Sequence, residues 1–461
     1  MWTFYLFVAT ISFIYGADND YQDLGANLPT PLAEHITGVY NDYLYVFGGK
    51  NQTEFDEDGT LWNTKFWRLP LGNIALSGTD DITNKPTSSS WELLSVTAPT
   101  YGPASGNNEF ACAGQCSAVI GKYLYIVGSY ASAGNEFTAT DTVYRLDLST
   151  TPPTFAAQGA FPSTTGYGTA TYGQCVTAIN DVLYTVTGDS QADLVSLTSG
   201  TTQASLASYP AGGQFGGFRI NAGCGGGNDD ANLWLLGGTG DQNKALVYAD
   251  DYEISGDSWT TRAFGNPGAF DNTDGTSTLS RAKARCISSF TNVIECAGGV
   301  TTSAKTTAIR YDTSAYITQT EPNSYSNLLF PTYSAGLNSI ELLNDGTNAA
   351  ELMIVTGGYD TTENQFTPPV KNTVQYAVRY ITLPVPTTSP TMNPSHSPTM
   401  KPTTPPSRAP TCTGCTRAPS GSPTTAAPTT PSPTDAEPDS GVAQICVVFS
   451  CIMAFISVII I

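Results

Sequence analysis

The chain has 461 residues and a formal net charge of −20, from 19 Lys and Arg against 39 Asp and Glu. A surface this acidic repels nucleic acid and anionic lipid, so it excludes a nucleic-acid partner and suits cationic partners or a soluble, solvated surface. The 44 Gly, 30 Pro and 24 Tyr, with only 13% charged residues, favour strands and turns over helices.

The first 16 residues have the features of a secretory signal peptide. Residues 2–15 are apolar and aromatic, and Gly16 and Ala17 precede a polar sequence, although no Lys or Arg marks the start. The apolar stretch is shorter than a membrane span. We therefore expect cleavage near Gly16 and export through the secretory pathway.

Residues 17–383 contain six copies of one pattern. Each copy has a short strand of small and apolar residues, a turn rich in Asn, Asp or Gly, and an apolar strand that ends in glycine. The first copy reads HITGVYNDYLYVFGGK (35–50). Such a segment predicts a β-hairpin, and further strands follow each hairpin. The pattern therefore predicts a β-propeller with one blade per copy. The closing glycines are Gly48, Gly128, Gly188, Gly237, Gly298 and Gly357.

The pattern resembles the kelch repeat, in which an apolar strand closed by diglycine is followed by a Tyr and then a Trp. The diglycine is complete in four copies, whereas the second and third copies read GS and GD. The Trp stands in two copies, as Trp91 and Trp259. The resemblance implies an all-β fold, a six-bladed kelch-like β-propeller. We expect the residues before the first repeat to supply the outer strand of the last blade and so close the ring.

Candidate catalytic residues are few. The chain has two histidines, and His396 lies in a Pro-rich segment, so only His35 can serve a folded site. We interpret His35 as a structural residue of the first blade. Secreted kelch-like propellers include copper radical oxidases resembling galactose oxidase, and that resemblance implies two His ligands. One His cannot meet this need, and Cys112 with Cys116 is only half a zinc ligand set. The sequence therefore predicts no enzyme, no cofactor and no metal.

Acidic groups leave one alternative function open. Paired carboxylates can hydrolyse glycosides, so the alternative is a secreted propeller enzyme that acts on carbohydrate through loop carboxylates. The sialidase-type Asp box is not matched, and all candidates except the pair Asp250 and Asp251 lie in polar loops or turns, where we expect solvated carboxylates instead. Calcium binding by residues 54–58 is the weaker alternative. The candidates are Asp56, Glu57, Asp58, Asp229, Asp230, Asp250 and Asp251.

The ten cysteines fit an oxidising compartment. Four of them precede their closing glycines by 12 or 13 residues, so each is expected on the first strand of its blade. Disulfides between neighbouring blades are the leading interpretation, with free thiols and a metal-binding ring as alternatives; the sequence does not choose the pairing. These four are Cys116, Cys175, Cys224 and Cys286, and Cys112, Cys296, Cys412 and Cys415 are further disulfide candidates. Asn51, in the triplet NQT, is a predicted N-glycosylation acceptor.

Two segments follow the predicted propeller. Residues 384–440 are rich in Pro, Thr and Ser, which predicts a disordered, extended and O-glycosylated stalk. Residues 441–461 are hydrophobic, which predicts either a glycosylphosphatidylinositol signal or a single transmembrane helix. The candidate attachment residues for the lipid are Asp435 and Ser440.

Together these features predict an extracellular cell-surface protein for recognition or adhesion. It is expected to bind a protein or glycan through the propeller without catalysis. The predicted C-terminal anchor places it on the outer side of the plasma membrane.

Overall fold

The computed structural model describes parts of the chain between residues 20 and 382. The predicted signal peptide, stalk and tail lie outside these parts, and so do Cys412, Cys415, Asp435 and Ser440. The described residues are 20–56, 59–96, 112, 115–127, 130–133, 136–139, 142–160, 175–186, 194–198, 203–206, 221–227, 230–239, 249–262, 282–289, 293–300, 304–313, 324–360 and 370–382.

The regular structure of these residues is almost entirely β-strand, with one 3₁₀-helix at Ser88–Ser90. In chain order the strands are β1 (Gln22–Asp23), β2 (Ile36–Tyr40), β3 (Tyr43–Phe47), β4 (Lys50–Asp56), β5 (Gly59–Trp62), β6 (Phe66–Pro70), β7 (Ala75–Ser77), β8 (Asp81–Thr83), β9 (Glu92–Leu94), β10 (Ser117–Ile120), β11 (Tyr123–Val127), β12 (Tyr130–Ala133), β13 (Glu136–Ala139), β14 (Thr142–Asp147), β15 (Thr154–Ala160), β16 (Cys175–Ile179), β17 (Val182–Val186), β18 (Leu194–Thr198), β19 (Gln203–Ser205), β20 (Gly223–Gly227), β21 (Asn232–Leu236), β22 (Ala249–Glu253), β23 (Ser258–Arg262), β24 (Arg285–Ser289), β25 (Val293–Ala297), β26 (Lys305–Asp312), β27 (Ser324–Thr332), β28 (Gly336–Asn344), β29 (Asn348–Thr356) and β30 (Val374–Thr382).

Within the described residues these strands form six four-stranded antiparallel sheets. Their strand orders are β2-β3-β6-β9, β10-β11-β14-β15, β16-β17-β18-β19, β20-β21-β22-β23, β24-β25-β26-β27 and β28-β29-β30-β1. Two-stranded hairpins β4-β5, β7-β8 and β12-β13 are inserted between strands of the first two sheets. In five of the sheets the strands follow one another in chain order, and in the sixth the last position is taken by β1.

The first strand of each sheet lies innermost, and we call these six the inner strands. They contact one another in a closed circuit, in the order β2, β10, β16, β20, β24, β28 and back to β2. Four-stranded sheets arranged around an axis in this way form a β-propeller. The predicted all-β propeller fold is therefore confirmed.

The predicted closure of the ring by the start of the chain is also found. Gln22 and Asp23 of β1 pair with Tyr376 and Gln375 of β30, so the last sheet is completed by the first strand. The backbone N–H of Leu24 donates to the carbonyl of Val374 at 2.9 Å and continues this contact.

The diglycines have a structural function at the end of the second strand. Each described pair has a positive φ at both glycines, a backbone region that glycine enters without steric cost. A Cβ at Gly49 would lie 2.6 Å from the carbonyl oxygen of Ala33, and one at Gly357 would meet the carbonyl of Leu32. Another segment thus passes in close contact at the pairs 48–49, 298–299 and 357–358, and the pair 237–238 shares their positive φ.

The hydrophobic core lies between neighbouring sheets. Leu44 and Val46 of β3 and Leu69 of β6 pack with Ile354 of β29 and Val378 of β30 in one buried cluster. These strands carry apolar residues on the face that meets the next sheet, as alternation along a half-buried strand requires.

Three disulfides join the six cysteines of the predicted propeller. Cys175 on β16 and Cys224 on β20 connect the inner strands of neighbouring sheets, as expected. The expectation of links between blades is wrong for Cys286, which bonds Cys296 because the two face each other on paired strands β24 and β25, with Cα atoms 4.0 Å apart.

The expectation of a disulfide between blades is also wrong for Cys116. Cys116 bonds Cys112, only four residues earlier in the chain, and the two Cα atoms lie 5.7 Å apart. The repeat correctly placed these cysteines near the axis, but the pairing follows from register and from the local course of the chain.

Candidate functional site

A cavity of about 250 Å³ lies among the inner strands, on the axis of the propeller. Residues of β2, β10, β16, β24 and β28 line it, together with Gln115 just before β10. The remaining inner strand, β20, has the sequence GCGGG and contributes no lining residue. Polar side chains and small residues dominate the lining, so the cavity suits a polar ligand better than an apolar one.

The exposure of the lining residues shows how the cavity is oriented. Thr37, Ser117 and Thr177, early in their strands, are buried, whereas Val39 and Ala178 further along are half-buried. The same gradient in three sheets indicates that the cavity is closed where the inner strands begin and opens towards their ends.

Gln115 closes the buried end. Its Nε2 donates to the carbonyls of Val176 at 3.1 Å and Cys224 at 2.9 Å. Its Oε1 accepts from the backbone N–H groups of Cys224 at 3.2 Å and Cys286 at 3.0 Å. One side chain therefore joins its own sheet to three others, and it is only 5% exposed.

The three disulfides surround this glutamine. The Cys112–Cys116 bond encloses Gln115 in a five-residue loop. The other two bonds each include a cysteine, Cys224 or Cys286, whose backbone is hydrogen-bonded to the Gln115 side chain. The closed end of the cavity is thus the most cross-linked point of the described structure.

Arg285 is a buried cation in the cavity wall. It is 5% exposed, and its Nη2 donates to the carbonyl of His35 at 3.1 Å. Its Nε has no hydrogen-bond partner, and no carboxylate forms an ion pair with it among the described residues. Burial lowers the pKa of Arg285 to about 10, and the charge of Glu34 acts in the opposite direction.

A second donor in the wall has no partner. Asn338 on β28 is 8% exposed, and its Nδ2 makes no hydrogen bond within the described part of the chain. Buried donors of this kind are uncommon, because leaving one unsatisfied costs free energy. Arg285 and Asn338 thus both line the cavity, and each keeps a buried donor without a partner among the described residues.

His35 is fully buried beside this site. Its Nε2 lies 2.7 Å from Oγ1 of Thr356. Burial, and secondarily the charge of Arg285, lowers the pKa of His35 to about 3. The imidazole is therefore neutral at physiological pH and a weak base, as suits a structural residue.

The acidic candidates are not gathered at the cavity. Asp250 and Asp251, the candidate pair that the sequence did not place in a loop or turn, are buried on β22, and Asn232 donates to Asp251 at 2.8 Å. Asp230 is half-buried in the turn after β20. Glu57, Asp58 and Asp229 lie outside the described residues, as does the side chain of Asp56. No three His, Cys, Asp or Glu side chains are grouped as a metal site in the described part.

Asn51, the predicted glycosylation acceptor, lies on β4 away from the axis. It is half-buried, and its Nδ2 donates to Oγ1 of Thr30 at 2.6 Å. The structure thus shows this amide in contact with the segment between β1 and β2.

A second buried charge cluster has a structural role. Glu295 on β25 accepts from Arg379 on β30 at 2.6 and 2.8 Å and from the hydroxyl of Tyr21 at 2.6 Å. Burial raises the pKa of Glu295, but Arg379, Arg310 and these hydrogen bonds outweigh it and hold the pKa below its usual value. The cluster ties the start of the chain to the last two sheets.

The sequence matches no protein-family model, and it matches no curated protein. Within the described residues, no helix has the length and apolar character that a bilayer span requires.

Proposed function

We propose that this protein is an extracellular recognition protein whose kelch-type, six-bladed propeller binds a protein or glycan ligand without catalysis. The six sheets and their closed circuit of inner strands support six blades. The diglycines after the second strands support the kelch type, because they stand where the kelch pattern has them.

The observation that carries a binding role is the axial cavity. It is closed at one end by Gln115 and walled by five inner strands, and two of its lining side chains, Arg285 and Asn338, keep buried donors that no described residue satisfies. A concave site with a few convergent polar groups on a rigid scaffold is the usual form of a ligand site.

Binding is favoured over glycoside hydrolysis by the carboxylates that are described. Hydrolysis needs two carboxyl groups facing each other across the substrate. Asp250 and Asp251 are neighbours in one strand and are buried, and the part of the cavity lining that the structure describes includes no Asp or Glu.

An extracellular location is supported by the three disulfides, which persist in an oxidising compartment. The apolar first 16 residues and the hydrophobic residues 441–461 support export and anchoring of the chain to the plasma membrane.

A binding screen tests the recognition role. The full-length protein, purified from a secretory expression host, is screened against an array of glycans and a panel of cell-surface proteins. Saturable binding without turnover is expected. Turnover of an oligosaccharide that Asp229→Asn or Asp58→Asn abolishes, with folding intact, would replace this proposal by the enzymatic one.

The anchor is tested on intact cells. Phosphatidylinositol-specific phospholipase C is expected to release the protein into the medium. Retention, with release only by detergent, would indicate a transmembrane helix instead.

A further inference from the structure

We propose that the axial cavity binds one acidic sugar unit, whose carboxylate is held by Arg285 and Asn338. This inference rests on the proposed recognition function and names its ligand class.

The first argument is the state of the two donors. A guanidinium that is buried without a carboxylate loses hydration and gains little in return, so it costs stability. Arg285 keeps one hydrogen bond, to the His35 carbonyl, and its Nε remains without a partner in the described structure. Charged hydrogen bonds to a carboxylate are the strongest that such a group forms, and Asn338 supplies a neutral donor in the same wall.

The second argument is charge. The chain carries a net charge of −20, yet the described residues of the lining include no Asp or Glu, and Arg285 is the charged side chain among them. The carboxylate whose charge raises the pKa of Arg285 is that of Glu34, which itself forms an ion pair with Lys50 at 2.8 Å. The positive charge of Arg285 is therefore not cancelled by a close ion pair, and an anionic group is the complement that the cavity lacks.

The third argument is size and the other lining groups. At about 250 Å³ the cavity is slightly smaller than the ~300–1,000 Å³ of sites for drug-sized ligands, so it holds a single small unit. It is larger than one acidic side chain needs. The hydroxyls of Ser117 and Ser288 donate to the carbonyls of Thr37 at 3.4 Å and Gly226 at 3.0 Å. Together with Ser339, these serines belong to the lining. They match the hydroxyls of a sugar ring better than the methylene stem of a Glu or Asp side chain.

The test compares two sugars that differ in charge. Methyl glucuronide and the neutral methyl glucoside are titrated into the full-length protein by calorimetry. The glucuronide is expected to bind and the glucoside to bind at least ~10-fold more weakly, because only the carboxylate satisfies Arg285.

Variants identify the groups responsible. Arg285→Met removes the charge at similar volume, and Asn338→Leu removes the amide donor. Arg285→Met is expected to weaken glucuronide binding about 10- to 100-fold and to leave the melting temperature unchanged or higher, since it removes a poorly paired buried charge. Arg145→Met is the matched control. Arg145, on β14, lies over the ring of Tyr123 and is not among the lining residues of the cavity.

Each outcome is decisive. Equal affinity for the two sugars, or glucuronide binding that survives Arg285→Met, overturns the proposal. Binding of a Glu-containing peptide, but of no sugar, in an Arg285-dependent way also overturns it and assigns the cavity to a protein ligand. If the wild type and Arg285→Met both bind a cell-surface protein and neither binds a sugar, the proposal of an acidic sugar is overturned while the recognition function stands. If neither sugars nor surface proteins bind, the recognition function fails as well.

Discussion

Acidification is expected to destabilise the propeller through His35. The folded-state pKa of His35 is about 3, whereas an unfolded chain has a His pKa of ~6.5. The stability that the neutral, buried His35 allows is therefore complete above pH ~6.5 and is lost as the pH falls towards 3. In this range the imidazole is protonated in the unfolded chain but stays neutral in the folded chain, which favours unfolding. Between pH 8 and pH 5 this linkage amounts to about 2 kcal/mol of unfolding free energy. The figure depends little on the folded pKa, provided that value stays well below 5.

Urea unfolding followed by tryptophan fluorescence measures this effect at pH 8, 7, 6 and 5. Carboxylates also titrate near pH 5, so the informative quantity is the difference between the wild-type protein and His35→Gln. The advantage of the wild type is expected to shrink by about 2 kcal/mol over this range. His396→Gln, in the predicted stalk, is the control and should follow the wild type at every pH. A wild-type advantage over His35→Gln that stays constant with pH would refute the reasoning.

Three further perturbations test the architecture. Gly357→Ala is expected to cost several kcal/mol, since its Cβ would meet the Leu32 carbonyl, whereas Gly346→Ala, with a similar positive φ but no atom within 4 Å, should cost about 1–2 kcal/mol in the same urea titration. Gln115→Ala leaves buried backbone groups of three sheets unsatisfied and is expected to lower the unfolding free energy by more than about 2 kcal/mol; a loss under 1 kcal/mol would show that water replaces the side chain. The double variant Cys175→Ser with Cys224→Ser opens a loop with a sequence separation of 49 and should cost about 4 kcal/mol in thermal unfolding, and an unchanged Tm would contradict this role.

The sequence predicted most of the fold because a propeller repeats. A hairpin followed by glycine recurs at each copy, and local turn chemistry specifies each hairpin without knowledge of the rest. Asn41 and Asp42, for example, both have positive φ in the turn between β2 and β3. The role of the start of the chain also followed, since the last copy lacked an outer strand. The inserted hairpins were not predicted, because they lie in stretches that no repeat constrains.

The candidate site was harder to predict, because only assembly of the ring creates it. In the sequence, Gln115 and Arg285 are ordinary polar residues at the start of a strand. Their place at the cavity becomes visible only when four sheets meet around the axis. One signal was present in the sequence. Each of them directly precedes one of the aligned cysteines, Cys116 or Cys286, at the start of an inner strand. Polar residues in that repeated position indicate side chains that point to the axis.

Two of the buried arginines, Arg379 and Arg285, show how a structural charge differs from a functional one. Arg379 meets both oxygens of Glu295 and also the hydroxyl of Ser326, so its desolvation is offset within the fold. Arg285 is as deeply buried, but it has the His35 carbonyl and no carboxylate within ion-pair distance in the described structure. A fold gains no stability from the second arrangement, and the disulfides and Gln115 keep the site rigid around it. A group that costs stability at the most cross-linked point of a polar cavity is best explained by a ligand that completes it.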